Sequence, residues 1–278
     1  MLCLSPRAQS DRGAPDIPSG VSVVAAGRVF HAACALLFLA SASATILVGL
    51  AMTKMGEVPM VGGWSMSAAW TPLCGGSWLA AAGAFFGMWV MMTTAMMLPS
   101  LTPTLWRLRQ GAAGMGDTRP GLFAALAGLI YLLVWAALGL AVFAGGALLL
   151  AAAMRWPLLA RVVPFAAGVV VIAAALFQMS HWKLAMLAHC SHAAGRGVGA
   201  AAAVEQGLRL GLACCVSCAG LTALLLVGGV MDLRGMAVVA AAITAERLAS
   251  AGARIARSVG VIMLGAGAVQ LAQALWQL

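Results

Sequence analysis

Charge is what this sequence has least of. Of 278 residues only 16 are Lys or Arg and 7 are Asp or Glu, so 8% are charged, against about 25% in soluble domains. That is too little to clothe a soluble surface. It also excludes a disordered chain, a nucleic-acid binder and a disulfide-stapled secreted module, each of which needs abundant polar or charged surface. The formal net charge of +9 is divided among short loops and forms no stripe, so it does not read as a nucleic-acid footprint.

Other signatures are missing too. Short alternating strands do not occur, which excludes a closed outer-membrane barrel. There is no P-loop, no glycine fingerprint for a dinucleotide, no HExxH and no nucleophile elbow. An enzymatic role is left open, and a binding or transfer role is favoured. The seven cysteines cannot all pair, and Cys34, Cys214, Cys215 and Cys218 fall in apolar segments, so no disulfide framework is implied.

What is present is long apolar runs in a chain that is 63% hydrophobic. A bilayer core of about 30 Å takes roughly 20 apolar residues per helix. Low-charge stretches at 29–51, 79–105, 121–150, 160–188, 206–230, 233–250 and 255–276 predict about seven spans. The expected fold class is therefore all-α, a polytopic transmembrane helical bundle. Residues 1–28, with Pro15, Pro18 and three glycines, read as a polar cytoplasmic tail, and 29–278 as the transmembrane domain. Arg28, the run Phe30 to Ala40 and the small residues Ser41 to Ala44 also resemble a signal peptide. The apolar run continues through Leu50, which favours a retained anchor.

Lys and Arg accumulate on the cytoplasmic side of membrane proteins. Twelve of the 16, among them Arg28, Arg107, Arg109, Lys183, Arg247 and Arg254, fall at one end of the expected spans, and only Lys54, Arg155, Arg161 and Arg234 at the other. The expectation is an N-terminus inside, a C-terminus outside and a place in a bacterial inner membrane, with the lipid bilayer as first partner.

Three features carry chemistry. In the second span, Met88, Met91, Met92, Met96 and Met97 crowd ten residues before Pro99 and Pro103. Met88, Met92 and Met96 recur every four residues and share a face. Such a stripe serves either as core packing or as a soft-ligand track, since thioethers select copper(I). In the fifth span, Cys214 and Cys218 stand one turn apart, about 6 Å between side chains, a spacing that lets two thiolates share one ion. They read either as inert buried thiols or as ligands. At the end of the fourth span come His181, Met186, His189, Cys190 and His192.

The expected topology brings Met97 and Cys214 to one depth, about 12 Å from the cytoplasmic ends of their helices. Glu246 is the lone acid of the sixth span, and ionisable groups at membrane depth are commonly functional. It either joins the site or pairs with Arg247 or Arg254. Met52, Met55, Met60 and Met66 in the first external loop, with Cys74, either collect copper outside or lie on headgroups through Trp64, Trp70 and Trp78. The candidate metal ligands are thus Met92, Met96, Met97, His181, His189, Cys190, Cys214, Cys218 and Glu246.

Several segments taken together carry a resemblance. They are Trp89-x2-Met92-x2-Ala95-Met96-Met97-Leu98-Pro99-x3-Pro103, Tyr131-x3-Trp135, Phe177-Gln178-x4-Lys183 with His189-Cys190, and Gly207-x3-Gly211-x2-Cys214-x3-Cys218. Gly229 to Leu233 and then Glu246 follow in order. From about residue 85 to 248 the chain resembles a bacterial family of integral membrane proteins described as predicted metal-binding, the domain of unknown function 2182 (DUF2182). Ser217 stands where that family tends to have a cysteine, Met186 where it has Cys, and Ala219 and Gly235 where it has Trp. The resemblance implies a metal held by Cys214, Cys218, Met96 and Met97.

Three functions compete on these residues. The first is binding of copper(I) for transport, or for delivery to a metal-acceptor protein. The second is a membrane redox subunit carrying haem on His181 or His189 and a methionine. The third is a structural accessory subunit of a membrane complex.

Overall fold

The computed structural model describes residues 20–53, 57–59, 64–67, 70, 77–114, 119–192, 199–230 and 232–276. The chain is a helical bundle: α1 (Gly20–Thr53), α2 (Trp78–Gly114), α3 (Pro120–Arg155), α4 (Pro157–Met179), α5 (His181–His192), α6 (Ala200–Gly228), α7 (Leu233–Leu248) and α8 (Gly252–Trp276). Two three-residue strands, β1 (Glu57–Pro59) and β2 (Ser65–Ser67), pair antiparallel between α1 and α2.

Among the described residues six helices are long and apolar enough to cross a membrane: α1, α2, α3, α4, α6 and α8. The expected seventh, α7, has 16 residues and is about 24 Å long, short of a bilayer core of about 30 Å. It still keeps the alternation of direction, because Leu233 at its start meets Gly49 late in α1 and Glu246 near its end meets Gln178 at the end of α4. The expected fourth span, 160–188, is two helices. Ser180 is extended (φ −70°, ψ 149°), and its hydroxyl accepts from the Lys183 amide at 3.3 Å, so it ends α4 and caps α5. Hydropathy continues across this break and conceals it.

Local chemistry sets the other ends. Pro120 and Pro157 open α3 and α4, where a missing N–H is harmless. Asp232 caps α7 by accepting from the amides of Arg234 and Gly235, both at 3.0 Å. Gly229 leaves α6 at φ +109°, a conformation that suits glycine alone.

Glycine seams let the helices approach. Gly168 and Gly267 on the α4–α8 pair, and Gly207 and Gly211 against α3, leave no room for a side chain, as is common where helices pack in lipid. A Cβ on Gly207 would lie 2.5 Å from the Ala127 carbonyl oxygen, whereas one on Gly87 would meet nothing within 4 Å. Gly207→Ala is therefore expected to destabilise by about 1–3 kcal/mol through overpacking. Gly87→Ala should stabilise by up to about 1 kcal/mol through helix propensity. Thermal unfolding of both variants in detergent checks the opposite signs.

Candidate metal centre

The site is built where α2, α3 and α6 meet. Trp89 of α2 donates its indole N–H to the Trp135 carbonyl of α3 at 2.9 Å and fills the space that a side chain at Gly139 would take. That contact fixes α2 against α3 in register. Met88, Met92, Met96 and Met97 are all buried, while Met91 is 44% exposed, as the four-residue period requires. Thr93 and Thr94 bond back to the Trp89 and Val90 carbonyls at 2.8 and 2.7 Å, which spends their hydroxyls inside the helix.

On α6, Gly207 and Gly211 bring the helix onto α3, and Cys214 becomes fully buried. Its Sγ lies 3.9 Å from Met97 Sδ and 3.9 Å from Cys218 Sγ. Tyr131, the one tyrosine of the chain, donates its hydroxyl to Cys214 Sγ at 2.9 Å. Ser217 donates to the Cys214 carbonyl at 3.1 Å, stands 3.9 Å from Cys218 Sγ, and accepts from Arg247 Nη2 at 3.2 Å. Measured along their helices, Met97 is about 26 Å from Gly114 and Cys214 about 21 Å from Ala200. The centre is deeper than the expected 12 Å because α2 runs on to Gly114 and α6 starts at Ala200.

Beside the sulfurs lies a closed polar triad. Lys183 Nζ donates to Glu246 Oε2 at 2.7 Å and to Gln178 Oε1, and Gln178 Nε2 donates to Glu246 Oε1. Lys183 and Gln178 have no exposed surface, and Glu246 is buried. Glu246 thus pairs with Lys183, not with Arg247 or Arg254, and both its carboxylate oxygens are engaged. Lys183 and Arg247, expected among the loop charges, sit at the level of this buried cluster.

Of the expected ligands on α5, only the side chain of His181 is described, and it is not gathered there. His181 is exposed at the start of α5. The side chains of His189, Cys190 and His192 lie outside the described residues, as do those of Met52, Met55, Met60, Met66 and Cys74. Trp70 does not lie on the surface: it is buried, stacks near Phe85 with centroids 5.0 Å apart, and occupies the space beside Gly146. Trp64 donates to the Ala160 carbonyl at 2.8 Å. Among the described residues no three His, Cys, Asp or Glu side chains come together as a metal group, so a soft-metal site built from the described side chains alone draws on methionine.

Sequence reasoning missed Lys183, Gln178, Ser217 and Arg247 as members of this cluster. The usable signal was charge of both signs in apolar segments, which must pair when buried.

The fold is that of a polytopic helical bundle, and its centre holds thiol and thioether sulfurs, the donors that soft metals take. A family model described as PpoB2, a copper chaperone, matches residues 86–270, from α2 through most of α8. The chain belongs to this copper chaperone family, and its function is copper-related. Neither a curated protein nor a solved structure matches it.

Proposed function

We propose that the chain is an integral protein of the bacterial inner membrane, N-terminus inside, that takes copper(I) onto Cys214, Cys218 and Met97 and hands it to an acceptor protein. The observation that carries this reading is the spacing of the three sulfurs. With a metal–sulfur bond of about 2.3 Å, the zinc–thiolate length taken as a guide, the sulfurs of a trigonal site stand about 4.0 Å apart. Cys214 is 3.9 Å from each of the other two. Family membership supplies the metal, and the ligand chemistry agrees, since thiolate and thioether favour copper(I).

Met92 and Met96, buried on the same helix, extend the soft donors beyond the three sulfurs, and His189 and Cys190 are the candidate receivers on α5. Glu246 acts as the counterion of Lys183 in this reading. The resemblance to DUF2182 points in the same direction. The haem alternative finds no support among the described histidines, because His31 and His181 are both exposed.

The test is copper stoichiometry. Purified protein loaded with copper(I) under reducing conditions is expected to hold about one ion per chain at the trigonal site, and Cys214→Ser/Cys218→Ser to hold none after competition with a chelator. Equal retention by both proteins would sink the assignment.

A further inference from the structure

At the end of the bundle away from the polar triad, the helices enclose a cavity of about 680 Å³. Its wall comes from the late turns of α3, the first half of α4, the end of α6 and the late turns of α8, with Trp64 and Trp70 beside them. A close-packed interior keeps few voids larger than a water molecule, whereas small-molecule sites span about 300–1,000 Å³. The space is ligand-sized.

Apart from the amides of Gln270 and Gln273 and the two indoles, every lining residue is apolar, and none is charged. An ion placed there would lack a partner, so the fitting ligand is uncharged. Gln270 adds an independent observation. Its Oε1 is shut off from solvent and, among the described residues, accepts no hydrogen bond. Buried carbonyl oxygens are normally bonded, and this one, on the cavity wall, calls for a donor. The Trp64 N–H does not serve it, being spent on the Ala160 carbonyl.

Leu149 of α3 and Val170 of α4, both of the wall, are 41% and 44% exposed. They sit on helices long and apolar enough to cross a membrane, so the open side of the cavity faces acyl chains. We propose that the cavity binds a lipid-soluble, uncharged ring compound bearing a hydroxyl, of the phenol or quinol class, which enters sideways from the bilayer and donates its O–H to Gln270 Oε1. An acyl chain would fill the volume and leave the amide unpaired. The tryptophans of the wall favour a ring over a saturated chain, because aromatic pairs gain beyond their buried area.

This site is separate from the sulfur centre. Along α6, Leu226 of the wall lies about 18 Å beyond Cys214. Binding here therefore does not depend on a metal at the cysteines, and Cys214→Ser should leave it unchanged.

The experiment follows an octylphenol, its methyl ether and a straight-chain alcohol on the full-length protein in one detergent, through the saturable rise in unfolding temperature that a bound ligand produces. The phenol is expected to bind at least about tenfold tighter than the ether, the scale of one buried hydrogen bond, and tighter than the alcohol. In Gln270→Leu its advantage over the ether should vanish. Gly145 lines the cavity, and a Cβ there would meet nothing within 4 Å, so Gly145→Phe has room to fill part of the space and should weaken both ring ligands. The proposal is overturned if the phenol gives no saturable shift, if it binds no tighter than its ether or the alcohol, or if its preference survives in Gln270→Leu. Undiminished phenol binding in Gly145→Phe would overturn it as well, which keeps the test decisive should Gln270→Leu fold poorly.

Discussion

Lys183→Met is expected to be among the most damaging single substitutions in the chain, costing about 3–5 kcal/mol, because it strands the Glu246 carboxylate inside the bundle with Gln178 as its remaining partner. Glu246→Gln is expected to cost a similar amount by stranding the ammonium. The double variant Lys183→Met/Glu246→Gln should recover most of the loss, since two amides remain that can bond each other and neither charge of the pair is left stranded. Unfolding midpoints of the three proteins in one detergent give the coupling energy directly. Losses that simply add would show that the triad does not act as a unit.

Copper(I) affinity is expected to fall as pH falls, by about tenfold per unit for each thiol proton that the ion must displace. The sign follows from competition: protons and copper(I) seek the same thiolate, so acid favours the empty thiol form. Above the pH at which both thiols ionise freely, the slope should vanish. Cys214→Ser or Cys218→Ser removes one displaceable proton and should both weaken binding and flatten the slope. Met97→Leu nearly conserves volume and removes a donor without a proton, so it should weaken binding and leave the slope as it was. Affinity measured against pH for these variants separates ligand from filler, and full affinity in Met97→Leu would return that side chain to the core.

Six long apolar helices were legible because a charge-poor helix in lipid announces itself by composition, whereas the seventh expected span, α7, is too short. The break at Ser180 was not legible, since a single capping hydroxyl inside an apolar run changes no average. On the metal side, Cys214 and Cys218, like Met88, Met92 and Met96, are four residues apart, and helical geometry alone puts such residues on one face. Lys183 and Glu246 are 63 residues apart, so no local pattern joins them, and counting every Lys as a loop charge hid the pairing. Tyr131 offered a cue of its own: a lone tyrosine in an apolar helix needs a partner for its hydroxyl, and that partner is Cys214.

The bend at Ser180 also governs how firmly the different parts of the bundle hold. Helix α5 has 12 residues, about the length below which an isolated helix barely persists in water, and it packs chiefly on α6. Its tie to the interior is Lys183, the side chain that closes the triad over Glu246. Local opening of α5 therefore demands far less free energy than unfolding of the long helices, and its backbone amides should exchange with solvent sooner than those of α3 or α6. Because α4 and α7 both stop near the level of the sulfurs, that loosely held segment lies close to where an ion would leave. Were copper held on those sulfurs as proposed, its lifetime would be tied to the breathing of one short helix, on a timescale separate from the stability of the protein as a whole.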